Sequence, residues 1–403
     1  MDKLLKFLLK NINLVVFKST PGLLPIFALA TLDSKQFVTA SLIFTTVTAF
    51  SGFMGEALNS LLAKSFNYKL SIKSSYFNLV SFVSLVVFLL SFIGYVIFYS
   101  IDSAPWHVSI FILMLALINI IIPSGASVFF NNCKSFNLLV TSFIFYFFSL
   151  ASFIIISRIY KNFFSVLLYG IVLCIFLQFF LMNYFKNPHP YVKTNLLTND
   201  VKAYLNFLPS YMITGPIHGF CLILFSKFSI NGYQELAQLT SFYPIAMAIS
   251  FLASIYSPVL IQELSSIKFK AKAHVSYILF FMLVSAILAS LFFYLLSPII
   301  NSYFDMRLGQ HLNLMPFIIL IGFSMSINLV TSAYLISYFN LKYLLFTSII
   351  YSSVYLVGTI LTIIYDLGIK AICISQITAF LIMLLIQLFV IKRKILLNSC
   401  LKF

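Results

Sequence analysis

Charge is what this sequence has least of. Only 8% of its 403 residues are Asp, Glu, Lys or Arg, and just nine are acidic. A soluble domain carries about a quarter charged residues, so this chain could not cover a water-facing surface. It has no GxxxxGK[ST] loop and no acidic residues at metal-ligand spacing, and nucleotide hydrolysis therefore has no support. No hydrophilic segment is long enough to fold as a domain; the longest runs from Lys186 to Lys202. A Ser/His/Asp constellation has little outside loop to stand on. The five cysteines, Cys133, Cys174, Cys221, Cys373 and Cys400, include no CxxC pair and none in an expected outside loop. They are small packing residues with no disulfide framework. No metal site and no cofactor are expected. The basic start, Met1 to Lys10, is followed by no small-residue cleavage site, so the first apolar run is expected to stay as a signal anchor.

What is abundant is hydrocarbon. Hydrophobic residues make up 62% of the chain and the mean hydropathy is +1.06. Apolar runs fall at 11–32, 36–62, 75–100, 107–130, 135–157 and 163–185, then at 203–228, 236–262, 275–298, 312–339, 343–365 and 369–391. A bilayer core about 30 Å thick needs about 20 apolar residues per helix. Spanning segments must satisfy their own backbone polar groups, so helices are the default. The runs are continuous rather than alternating, which excludes a barrel. The fold class is an all-α polytopic membrane protein with about 12 transmembrane helices. The last three runs are separated so little that their count is the least secure.

The placement of the basic residues tests that count. With the N-terminus in the cytoplasm, eighteen of the 25 Lys and Arg fall in inside segments and five at outside loops, with Lys18 and Lys227 left in spans. Such asymmetry follows the positive-inside rule and persists to the C-terminus, so both termini are expected inside. The formal charge of +16 is dispersed between apolar runs rather than gathered on one face, which argues against nucleic acid as a partner.

The polar stretch 186–202 divides the chain into an N-terminal six-helix lobe (1–185), an inter-lobe linker on the cytoplasmic side and a C-terminal six-helix lobe (203–403). Two short echoes relate the halves. Leu70-Ser71-Ile72-Lys73 recurs as Ser265-Ser266-Ile267-Lys268, and Pro21 and Pro216 share that offset of 195.

Ionisable groups inside spans are expensive, about 2.5 to 3.5 kcal/mol at a span centre on insertion scales, and mark candidate sites. Lys18 and Glu56 lie at similar depths in antiparallel spans one and two, about 9 to 10 Å from the cytoplasmic side. They form either a structural ion pair, with Lys18 snorkelling, or a cavity site that meets an anionic substrate. His218 lies near mid-membrane in Thr214-Gly215-Pro216-Ile217-His218-Gly219, a segment expected to break its helix. Span one carries a similar break at Pro21-Gly22, with Pro25 beyond. Paired broken helices point to a transporter's binding site, although a lone His can equally be bonded to a neighbouring helix. Lys227 is expected to snorkel. The basic clusters Lys64–Lys73 and Lys268–Lys272 set topology and can attract lipid headgroups or a lipid diphosphate, each lysine contributing about 1 kcal/mol.

Two six-span lobes with a proline-broken first and seventh helix resemble the multidrug/oligosaccharidyl-lipid/polysaccharide (MOP) exporter superfamily. Within it, the likeness is to the Wzx-type flippases of O-antigen and capsule clusters. Thr31-Leu32-Asp33-Ser34-Lys35-Gln36-Phe37, leading into the run that ends Gly52–Lys64, resembles the family's first loop and second helix. Ile230-Asn231-Gly232-Tyr233-Gln234-Glu235-Leu236, running on to Ser257-Pro258, resembles the counterpart in the second lobe. The resemblance implies a flippase of the bacterial inner membrane. It would move an undecaprenyl-diphosphate-linked oligosaccharide, an O-antigen or lipopolysaccharide repeat unit for example, to the outer leaflet by alternating access. It also implies membrane lipids, a polysaccharide polymerase and a chain-length regulator as partners, and no enzymatic activity. The substrate-cavity candidates are Lys18, Pro21, Glu56, Pro216 and His218. A strongly basic cavity is expected of such flippases, and this chain departs from that with only Lys18 and Lys227 basic within spans. The alternatives are a Na⁺- or H⁺-coupled small-molecule exporter of the same fold, for which Glu56 is the only carboxylate inside a span, and a membrane-embedded polymerase or glycosyltransferase, which the small outer loops disfavour.

Overall fold

The computed structural model describes residues 23–65, 73–99, 106–132, 135–159, 161–185, 204–205, 214–266, 313–338 and 341–400, with isolated positions between 283 and 295. These residues form eleven helices and no strand. We number them α1 (23–31), α2 (Ser34–Ser65), α3 (Lys73–Tyr99), α4 (Trp106–Asn132), α5 (Ser135–Ile159), α6 (Phe163–Phe185), α7 (Thr214–Phe228), α8 (Gly232–Ser266), α9 (Met315–Tyr338), α10 (Leu341–Ile364) and α11 (Gly368–Cys400). Each apolar run outside 275–298 corresponds to one of them. The last three runs, the hardest to count, are three separate helices. The linker 186–202, the cluster Lys268–Lys272 and most of the run 275–298 lie outside the described residues.

Helix starts follow from short polar side chains. The Asp33 carboxylate accepts the Gln36 backbone N–H at 2.7 Å, while the Asp33 carbonyl accepts that of Phe37 at 2.8 Å. Asp33 is thus the N-cap of α2 and satisfies donors that the first turn leaves open. Asn162 does the same for α6, its side-chain oxygen accepting the Ser165 N–H at 3.2 Å. In the second half the Asn231 carbonyl accepts the Glu235 N–H at 3.0 Å and opens α8. The stretches around Asp33 and Asn231 therefore do the same work, turning the chain from one span into the next. At Gly232 there is no room for a side chain: a methyl group would overlap the Phe225 and Ser226 carbonyl oxygens.

The end of α10 is equally specific. Asp366 has φ of +47° and Gly368 +71°. The Leu367 N–H reaches back to the Thr362 carbonyl at 3.0 Å, and the Asp366 N–H to that of Ile363 at 3.3 Å. This is a Schellman stop with Asp366 in the left-handed position, which Asp tolerates better than most non-glycine residues. It separates α10 from α11, although the two apolar runs are separated by only three residues in sequence.

Helices of this chain are apolar on both sides. On α3 the residues Phe82, Leu85, Leu89, Ile93 and Ile97 are exposed, while Val80, Val83, Val87 and Tyr95 are buried. A helix apolar all round belongs in a core or in lipid. The described positions Leu283, Ile287, Leu291 and Leu295 repeat the exposed pattern at four-residue spacing. Four helical segments, Leu79–Ile97, Met315–Ser337, Lys342–Ile364 and Gly368–Lys392, are each long and apolar enough to cross a bilayer. The fold is that of a multi-pass membrane protein.

Helices α2 to α6 pack among themselves, and α7 to α11 do likewise. In the first half the core is aromatic: Phe27 of α1 stacks on Tyr169 of α6 at 4.4 Å and meets Phe153 of α5 edge-on at 5.0 Å. In the second half the apolar core also holds a cluster of aromatic and polar side chains, described below. The two groups meet along α2, which lies against both α7 and α8.

At the α7–α8 and α10–α11 turns, just before the membrane run of α8, Glu235 faces the start of α11. Its carboxylate accepts the Ile369 backbone N–H, and Ser229 Oγ donates to Asp366 Oδ1 at 3.2 Å. Burial holds the Glu235 carboxyl above its ordinary value; the Ile369 bond lowers it and the Asp366 charge raises it. The folded protein therefore holds this proton more tightly than the unfolded chain. The associated stability is fully present below the unfolded carboxyl value and is lost as pH rises through the folded one. A Glu235→Gln variant keeps an acceptor without the charge. It should melt higher than the parent at pH 7, with the gain vanishing below about pH 4, as followed by thermal unfolding in detergent.

Candidate functional site

The sequence candidates separate cleanly. Lys18 and Pro21 lie outside the described residues. Glu56 stands on α2, with only its backbone described. Pro216 lies in the described part of α7, and residues 206–213 before it lie outside the described residues. The break expected over 214–219 is not seen there: α7 is continuous from Thr214 to Phe228. Gly219 serves close approach instead of unwinding. Lys227 is exposed in the last turn of α7, consistent with a snorkelling side chain.

His218 is held in the interior of the second half. Its ring lies between two tyrosines, Tyr243 of α8 at 5.7 Å and 28°, and Tyr355 of α10 at 5.5 Å and 22°. Its Nε2 is 3.2 Å from the Tyr243 hydroxyl. The Gln376 side chain of α11 hydrogen-bonds toward both Tyr243 and Tyr351. Tyr351, one turn before Tyr355, packs on Phe380 at 4.7 Å. Four helices thus converge on one imidazole through aromatic faces and amide or hydroxyl dipoles. Sequence inspection singled out His218 but none of these partners. The chain has 23 tyrosines, and nothing in their spacing marks Tyr243 or Tyr355 as special.

Three polar atoms of this cluster have no hydrogen-bond partner among the described residues: His218 Nδ1, Gln376 Oε1 and the Tyr355 hydroxyl. Gln376 and Tyr355 are 1% and 0% exposed. A buried polar group left unmet costs about 1 to 3 kcal/mol, and native structures rarely leave such groups unmet. These three atoms give the cluster polar groups not used up by its own contacts. A second polar band ties α9 to α11. Thr331 Oγ1 donates to Gln387 Oε1, Gln387 Nε2 donates to Ser332 Oγ at 3.3 Å, and Asn328 Nδ2 donates to the Phe380 carbonyl at 3.3 Å. Interhelical bonds of this kind contribute about 0.6 kcal/mol each in a membrane. Among the described residues no three of His, Cys, Asp and Glu group as metal ligands would.

One residue beyond His218 lies the seam between the halves. A methyl group at Gly219 would overlap Ala49 Cβ on α2 and stand 3.7 Å from the Thr45 carbonyl. Five residues along α2 from Ala49, the Tyr204 hydroxyl donates to the Met54 carbonyl at 3.2 Å, and Tyr204 is only 1% exposed. The candidate site is thus a buried histidine cluster set directly behind the line where the halves touch.

This all-helical membrane bundle has the fold of solved membrane transporters. Three solved structures share it. A multidrug resistance MATE family transporter of the MOP superfamily, in an outward-facing conformation, aligns with TM-score 0.65 and 14% identity over 98% of this chain and 96% of its own. A MOP superfamily transporter from Pyrococcus furiosus, whose binding pocket has reversed polarity, aligns at 0.61 and 11% over 99% and 96%. A eukaryotic MATE transporter aligns at 0.61 and 12% over 96% and 94%. No protein-family profile matches the sequence, and no curated protein sequence does. All three neighbours are transporters, and two of them are of the MOP superfamily that the sequence resembles.

Proposed function

We propose that this chain is an alternating-access flippase of the bacterial inner membrane. Its substrate would be an undecaprenyl-diphosphate-linked oligosaccharide, such as an O-antigen or capsule repeat unit, moved from the inner to the outer leaflet. The observation that carries the reading is the seam: two groups of helices of a transporter fold meet along one helix, α2, beside the one mid-span ionisable cluster described. The substrate class rests on charge. Lys18 is a cation inside span one, while Glu56 is the only carboxylate inside any span, which suits an anionic diphosphate better than a cationic drug. Lys64–Lys73 and Lys268–Lys272 would gather the lipid diphosphate at the cytoplasmic face. Lobes 1–185 and 203–403, joined by 186–202, would rock about Lys18, Pro21, Glu56, Pro216 and His218. A polysaccharide polymerase and a chain-length regulator are the partners such a flippase would serve.

A second reading is supported by the multidrug neighbour and by His218: a small-molecule exporter driven by protons. Purified protein in vesicles separates the two. A fluorescent undecaprenyl-diphosphate oligosaccharide should reach the opposite leaflet faster than in empty vesicles, as read by quenching from one side. Dye efflux that follows an imposed pH gradient, with no lipid movement, would replace the first reading by the second.

The role of Lys18 is testable in the same vesicles. Lys18→Ala should lower the flipping rate about tenfold, the loss of about 1.4 kcal/mol of interaction, with unchanged expression. An unaltered rate removes Lys18 from the site.

A further inference from the structure

We infer that α2 carries a two-point latch, Gly219 on Ala49 and Tyr204 on Met54, whose release opens the mouth at the Lys64 end of the seam. The inference rests on the reading that the halves move against each other, and it names what holds them.

The first point is steric. Gly219 approaches α2 so closely that a side chain there would overlap Ala49 Cβ and come within 3.0 Å of Ala49 Cα. Two helices meet at that distance only where one contributes no side chain, and the gain is close dispersion contact along both backbones. The second point is polar. Tyr204 projects from the start of the second half onto the Met54 carbonyl, and its hydroxyl is buried there. The carbonyl also serves its own helix, so losing the tyrosine leaves α2 intact; losing α2 strands the buried hydroxyl. The bond thus favours the closed seam without being needed for either half to fold.

The two points are about 7.5 Å apart along α2. Ala49 is at the middle of the helix and Met54 is toward Lys64, the end that the charge asymmetry assigns to the cytoplasm. The steric point therefore holds the middle of the seam and the polar point its Lys64 side. Gly219 also adjoins His218, so a change at the histidine cluster acts on the steric point through the next residue of the same helix.

The experiment reads α2 directly, without substrate. Hydrogen–deuterium exchange is followed on the full-length protein in detergent, comparing residues 45–58 of α2 with helices α9 to α11. Gly219→Ala and Tyr204→Phe should each raise exchange of the α2 segment several-fold while α9 to α11 stay within about twofold of the parent. Adding Ala49→Gly to Gly219→Ala relieves the methyl overlap and should restore much of the protection. Unchanged exchange in α2 for both single variants overturns the latch. An equal rise in α9 to α11 also overturns it, because the contacts would then be general packing. A substrate assay that fails while α2 responds as expected would count against the transported species and not against the latch.

Discussion

If His218 couples transport to protons, His218→Ala should reach the membrane, transport at least about tenfold more slowly than the parent, and lose most of the pH dependence of transport. The variant removes the ring held between Tyr243 and Tyr355 and the group facing the Tyr243 hydroxyl. His218→Gln distinguishes coupling from packing: it offers Tyr243 an acceptor again but cannot titrate. Expression and melting temperature should recover in His218→Gln while the pH profile stays flat. The measurement is initial transport rate in vesicles across about pH 5 to 8. A profile that matches the parent in both variants would leave His218 as a bonded core residue.

Gly322→Leu should strongly destabilise the protein. Gly322 lies on α9 where it crosses α8, and a side chain there would stand 2.8 Å from both the Ala246 carbonyl oxygen and Ile249 Cβ. Ser326, one turn on, donates to the Ile249 carbonyl at 3.2 Å across the same crossing. The clash is with Ala246 backbone and the fixed Ile249 Cβ, so it cannot be relieved by a rotamer change, and overpacking of this kind costs up to about 3 kcal/mol. Thermal unfolding in detergent should show a midpoint at least about 6 °C lower, or no folded protein at all. A melting temperature equal to the parent's would show that the crossing is looser than its geometry.

These two positions also mark where sequence patterns stop being informative. His218 was conspicuous because a titratable group in an apolar span is costly and rare. Gly322 was not, since 13 glycines are spread through the chain and only the neighbouring helix shows which of them must stay small. The same holds for Gly219. The motif around Pro216 suggested a broken helix, yet α7 runs unbroken from Thr214 to Phe228. The glycine beside His218 answers to Ala49, a residue 170 positions earlier whose proximity no local pattern contains.

The sequence by itself determined the solvent, the secondary structure and the caps. Apolar runs of span length dictate helices because a backbone in hydrocarbon must bond to itself, and Asp33 and Asn162 fix helix starts through contacts three residues long. Those are local forces, and local sequence records them. The tertiary structure alone decided that Tyr243, Tyr355 and Gln376 enclose His218, and that α2 is the helix along which the halves meet. In a chain that is 62% hydrophobic, lipid and protein neighbours look equally acceptable to an apolar side chain. Which helix faces which is settled by close fit between small residues and by a few buried polar bonds, and both exist only once the helices are side by side.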